Sequence, residues 1–140
     1  RPGEIQTAIL IEKDSYIDTF GHYIKYAMRN AMDIATLGTS VNVRLSADKK
    51  TVERARVAFG VAGPVPLRAA AAEELAATAE RLAEGKPVSE ETAEAFAQAV
   101  KEDINPRDSW RAAKDFRMHI AVESARQAFI EAVKLAGGDL

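Results

Sequence analysis

Two alternating runs separated by a short polar stretch limit this chain more than any other feature. Ala35, Leu37, Thr39, Val41, Val43 and Leu45 fall on one face of a strand, with Thr36, Gly38, Ser40, Asn42 and Arg44 opposite. Ala47-Asp48-Lys49-Lys50 reads as a hairpin connection. The return run sets Ala55, Val57, Phe59 and Val61 on one side and Arg54 and Arg56 on the other. So short a connection requires antiparallel pairing. Gly63-Pro64-Val65-Pro66 then stops the alternation, because proline removes a ladder donor and fixes φ. The sequence predicts that this corner ends the sheet and launches a helical half.

The flanking segments follow the same logic. Residues 4–12 alternate with both faces fairly apolar, which predicts a further strand inside the sheet. Lys13-Asp14-Ser15 reads as a turn. Residues 19–29 suit a strand or a helix. Aromatic content and Gly21 favour the strand, with Tyr23, Lys25, Ala27 and Arg29 opposite the Phe20–Ile24 row. Residues 29–33 break the alternation and read as a loop. Beyond the prolines, Leu75, Ala79 and Leu82 keep helical spacing up to Gly85. Ser89 caps a second helix whose first turn holds Glu90 and Glu91 and whose stripe is Ala93, Phe96, Ala97, Val100 and Ile104. A third helix, capped by Asp108 or Ser109, carries a long apolar stripe from Met118 to Ala136 and stops at Gly137-Gly138. The predicted fold is α+β: an antiparallel sheet of three to four strands packed against about three helices.

Composition narrows the functional classes. With 19 Lys+Arg against 21 Asp+Glu there is no basic excess for a nucleic-acid surface. No apolar run is long enough for a transmembrane helix. The absence of cysteine removes disulfides, thiolate zinc sites and Cys-ligated clusters from this chain, and fits a reducing, cytoplasmic setting. Residues 1–140 are expected to form a single domain. The opening Arg1-Pro2-Gly3 has no initiator Met and no signal pattern, and reads as a cut inside a longer chain.

The residues alone carry no catalytic constellation. His22 reads as a half-buried strand residue and His119 as a surface helix residue. HExxH, P-loop, GxGxxG and GxSxG patterns are absent. Glu73, Glu74, Glu90 and Glu91 read as solvated helix-start charges. Arg111 and Asp115, four apart, suggest a surface ion pair, and Trp110 a core or subunit-contact residue.

Four stretches carry a resemblance. Pro2-Gly3-Glu4-Ile5 leads into the first segment. Residues 25–35 read K-x-x-x-R-x-x-x-D-I-A, from Lys25 through Arg29 and Asp33 to Ala35. Phe59-Gly60-Val61-Ala62-Gly63-Pro64 and Asp103-Ile104-Asn105-Pro106-Arg107-Asp108-Ser109-Trp110-Arg111 follow in order. In this order and spacing the chain resembles the C-terminal domain of the FAD-binding medium subunit of molybdenum hydroxylases, a family of xanthine and carbon monoxide dehydrogenases. Within it, the resemblance is to bacterial xanthine dehydrogenase flavin subunits.

The resemblance implies FAD in the full subunit, two [2Fe–2S] clusters in an iron–sulfur subunit and a molybdenum cofactor in a large subunit. Electrons would run through the clusters to FAD and then to an acceptor such as NAD. It further implies that this domain packs on the N-terminal FAD-binding domains and covers one side of the flavin. The family's flavin-contacting Lys falls on Lys25, and a flavin-touching residue of the first strand falls near Thr7. The flavin-proximal loop carries Arg29 and Asp33. The segments that grip the FAD pyrophosphate lie in domains not included in this chain, so the isolated domain is expected to be inactive and to lack tight FAD binding. Uncovered docking faces would favour self-association. Two other readings stay open: an assembly domain that docks the iron–sulfur subunit without touching flavin, and a free-standing ligand- or protein-binding module.

Overall fold

A computed structural model describes residues 2–68, 80 and 83–140. Strands β1 (Phe20–Tyr26), β2 (Leu37–Leu45), β3 (Val52–Gly60) and β4 (Leu67–Arg68) precede helices α1 (Glu90–Asp103) and α2 (Lys114–Leu135). The strands form one antiparallel sheet in the order β1-β2-β3-β4. The α+β class expected from the sequence holds.

The central hairpin closes as its residues dictate. Ser46 Oγ donates to Asp48 Oδ1 at 2.6 Å and accepts the Thr51 amide at 3.0 Å, while Lys49 takes φ 61°. Register then sets Val43 opposite Ala55, Val41 opposite Val57 and Thr39 opposite Phe59, all buried. Each fully buried Val or Phe contributes about 1.5–3 kcal/mol against exposure. α2 lays its stripe of Ala121, Ala125, Phe129, Ala132 and Val133 on this face, and α1 packs against α2 through Phe96, whose ring lies 4.8 Å from that of Phe129. Ser89 caps α1 by accepting the Thr92 amide. α2 stops in a Schellman turn: Gly137 takes φ 84° and the Gly138 amide reaches the Val133 carbonyl at 2.9 Å.

Several expectations need correction. Residues 4–12 lie outside any strand, and Ile5, Ile9, Leu10 and Ile11 are exposed. Alternation gives a segment the side chains of a strand, but a strand needs a neighbour for its amides and carbonyls. The corner at 63–66 does not end the sheet. It returns the chain so that Leu67 and Arg68 pair with Phe59 and Ala58. Val61 does not continue the β3 row: it is exposed at φ 66°, beyond the end of the strand. The third predicted helix begins only at Lys114, with Ala113 as N-cap. Asp108 still accepts the Lys114 amide, at 2.7 Å, from outside the helix. Because α2 starts there, Arg111 and Asp115 never share a helical face, and Arg111 stacks over the exposed Trp110 ring at 4.1 Å instead. Of the helix expected from Leu75 to Gly85, only Glu80 and Ala83 are described as helical; Leu75, Ala79, Leu82, Glu73 and Glu74 lie outside the described residues.

Candidate functional site

α2 covers one face of the sheet, with α1 stacked on α2, so among the described residues the other face carries the side chains that can meet a ligand. Register lays that open face out in rows. Lys25 stands beside Gly38 and Gly60, Tyr23 beside Ser40 and Ala58, Gly21 beside Asn42 and Arg56, and Arg44 beside Arg54. The other two residues of the Lys25 row are glycines, of which Gly38 is buried. A Cβ added at Gly60 would meet nothing within 4 Å, whereas one at Gly38 would lie 2.7 Å from the Tyr23 hydroxyl.

The far end of the face is basic. Arg44 and Arg54 grip Asp14 at 3.2 and 2.9 Å and also donate to the Asp14 carbonyl, pinning the 3-10 turn Lys13–Ser15 against the sheet. Hydrogen bonds from Arg54 and then Arg44, reinforced by their charges, hold the Asp14 carboxyl below its usual value. Arg68 and Arg56 reach the buried Glu80 at 3.2 and 3.9 Å. A groove of about 280 Å³ runs between these pairs, past Ser40 and Asn42.

Lys25 is the penultimate residue of β1, and the loop 27–36 that follows the strand is latched at its tip and at its foot. At the tip, Asp33 accepts the Arg29 amide at 3.0 Å and the Ile34 amide at 2.9 Å. The Arg29 guanidinium stands 4.0 Å from the same carboxylate and donates to the Met32 carbonyl at 2.8 Å. Burial works to raise the Asp33 carboxyl, but the Arg29 and Ile34 amides and the Arg29 charge outweigh it and hold it below its usual value. The Lys25 ammonium donates to the Asp33 carbonyl at 2.6 Å, which takes one of its three protons. At the foot, the Thr36 amide donates to the Tyr26 carbonyl at 2.7 Å.

The structure thus brings together Lys25, Arg29 and Asp33, three of the four residues singled out in the sequence. Thr7 is not among them. It is exposed in the segment 2–12, and among the described residues no hydrogen bond joins it to the other three. Sequence reading missed the support beneath the loop. Phe116 meets the Tyr26 ring edge-on at 5.8 Å, and the buried Arg117 donates to the Thr36 carbonyl at 3.2 Å. The only signal available was a charged residue at the start of an apolar stripe. Ile34, Val61, Arg107, Trp110 and Arg111 line a cleft of about 400 Å³ at this end of the sheet. Among the described residues no cluster of three metal-ligating side chains occurs.

One antiparallel sheet with helices on a single side and a latched loop after β1 places this chain in the α+β class. The model of the CO dehydrogenase flavoprotein C-terminal domain family matches residues 22–132, so this chain belongs to that family. It is 42% identical over 118 residues to the xanthine dehydrogenase FAD-binding subunit of Escherichia coli O157:H7, covering 84% of this chain and 37% of that protein. A carbon monoxide dehydrogenase from Hydrogenophaga pseudoflava that lacks the Mo-pyranopterin moiety superposes with a TM-score of 0.70 at 28% identity, over 85% of this chain and 38% of the other. Quinoline 2-oxidoreductase from Pseudomonas putida 86 shares the fold, with a TM-score of 0.72 at 21% identity, over 84% of this chain and 38% of the other. The chain therefore spans well under half the length of these relatives.

Proposed function

We propose that this domain forms one wall of a flavin site in the FAD-binding subunit of a xanthine dehydrogenase-like molybdenum hydroxylase. There it would work as part of an oxidoreductase whose other domains and subunits supply the remaining cofactors. The observation that carries the reading is the Lys25 ammonium, held by the Asp33 carbonyl, in a row of the sheet whose far member, Gly60, leaves open space. The open space at Gly60 and the positive charge of Lys25 in the same row fit the edge of a flavin, with Gly38 between them covered by the Tyr23 hydroxyl. FAD supplies the redox chemistry when bound. Lys25 favours the negative charge gained on reduction and raises the flavin's potential by charge alone. Its bond to the Asp33 carbonyl holds that charge at the sheet's end. Thr7 would contribute only if residues 2–12 were carried to the flavin by the N-terminal domains.

In this reading the N-terminal FAD-binding domains of the subunit, an iron–sulfur subunit carrying [2Fe–2S] clusters and a molybdenum subunit are the partners. Electrons leave the flavin for an acceptor such as NAD, and the loop 27–36 lies on the acceptor's path. Lys25→Ala in the intact complex tests it. The flavin midpoint potential is expected to fall by roughly 30 mV or more, about 1.4 kcal/mol for a two-electron couple, with slower acceptor reduction.

The exposed Met28, Met32, Ile34 and Trp110 favour a second reading, in which this end of the sheet docks the iron–sulfur subunit without touching flavin. An unchanged potential in the Lys25→Ala complex would decide for docking.

A further inference from the structure

We infer that Arg117 is a positioning residue that fixes the loop 27–36, and through it the Lys25 ammonium, to the turn 105–113 that carries Trp110. The inference rests on the proposed flavin-facing role of Lys25.

Arg117 is 2% exposed in the first turns of α2. Its guanidinium spends its donors on two separate segments. Nε reaches the Thr36 carbonyl at 3.2 Å, at the foot of the loop. One terminal nitrogen donates to the Arg107 carbonyl and to the Ala112 carbonyl, the latter at 3.0 Å. The other donates to Ser109 Oγ at 2.7 Å. All four acceptors are neutral, and among the described residues no carboxylate pairs with this buried cation. Burying a charge is costly, and an apolar side chain of similar volume generally stabilises a protein more. What Arg117 supplies, and a leucine could not, is a rigid planar fork that sets two backbone segments at fixed distances from one helix.

Those segments matter to the site. Thr36 is bonded to Tyr26, the residue after Lys25, and the Tyr26 ring rests on Phe116, the neighbour of Arg117. α2 thus holds both feet of the loop, while Asp33 holds its tip and the Lys25 ammonium. On the other side, the turn is closed by the mutual Ser109 and Ala112 backbone bonds and presents Trp110 and Arg111 to the surface. A partner that moves Trp110 therefore moves the support of Lys25.

The test breaks one arm of the fork at the turn and reads the loop. In Ser109→Ala, amide exchange at Thr36 is expected to speed about tenfold, the loss of one bond to a charged group. The amides of Val41 and Val43, on the central strand β2, should keep their rates, which separates a local linkage from general loosening. Arg117→Lys keeps the charge but not the fork, and should speed Thr36 and Ala112 exchange together. Unchanged Thr36 exchange in both variants overturns the linkage.

The holoenzyme supplies the functional readout. Flavin potential should shift in Ser109→Ala and Arg117→Lys in the same direction as in Lys25→Ala, and by less. Were Lys25→Ala silent while Thr36 exchange responds, the flavin reading falls and the linkage stands. Were Lys25→Ala to shift the potential while both fork variants leave it untouched, the positioning role falls and the flavin reading stands.

Discussion

Asp14 and Asp33 show how single carboxylates organise this surface. Asp14 receives two guanidinium groups, and its carboxyl is lowered in the folded chain. Its contribution is therefore complete above the ordinary unfolded value and disappears as pH falls through the folded one. The prediction is that acid loosens the 3-10 turn, read as faster exchange at the Ile17 amide, and that Asp14→Asn flattens this pH response. Arg29 and Asp33 stand four apart in the sequence, a spacing for which a loop-closing ion pair is the simple expectation. The 4.0 Å ion pair is present, yet the two backbone amides at 2.9 and 3.0 Å approach more closely. No spacing rule reports that a carboxylate will cap amides rather than meet a charge. Val61 makes a different point. A β-branched residue at φ 66° is strained by roughly 1–2 kcal/mol. Val61→Gly is expected to raise stability by about 1 kcal/mol, measured as a higher urea midpoint with unchanged slope. The strain was invisible because Val61 keeps step with Ala55, Val57 and Phe59 in the sequence.

At the level of elements, periodicity served where both partners lie in the chain and failed where one is missing. β2, β3, α1 and α2 were legible because each buries a face against another of the four, and local pattern then agrees with tertiary packing. Residues 4–12 carry an equally regular pattern but find no partner strand. β4 escaped notice since two residues are too short for any period to show. The Arg117 fork was illegible for another reason: it joins positions 36, 107, 109 and 112, and their proximity is a product of the fold. The α2 stripe allows a direct check. Phe129 is fully buried against Phe96, so Phe129→Ala should cost about 3–5 kcal/mol. Phe116 is 44% exposed, so Phe116→Ala should cost much less globally while speeding exchange at Thr36. Equal losses in the two variants would contradict this division of labour.

Among the described residues, the helices lie on one side of the sheet and the N-terminal segment 2–12 is left exposed. Ile5 and Leu10 are 85% and 88% exposed, on the same arm as Ile9 and Ile11. Such an arm promotes association in water. The 140-residue chain is expected to sediment as a concentration-dependent mixture, and replacing Ile5, Ile9 and Leu10 with serine should return it to a monomer. A monomer at all concentrations in the unaltered chain would show the arm to be inert.

The sheet's two margins differ. Along β3, beyond the short β4, Glu80 accepts the Val57 amide at 3.0 Å and Glu84 the Ala55 amide at 3.3 Å, while the Val52 amide meets the Lys86 carbonyl at 2.9 Å. Acidic side chains there stand where β4 would continue, and block the pairing of another strand along the rest of β3. Across the sheet, β1 pairs only with β2 among the described residues. Growth of the ribbon by an incoming peptide is thus steered to one flank, a few residues from Lys25.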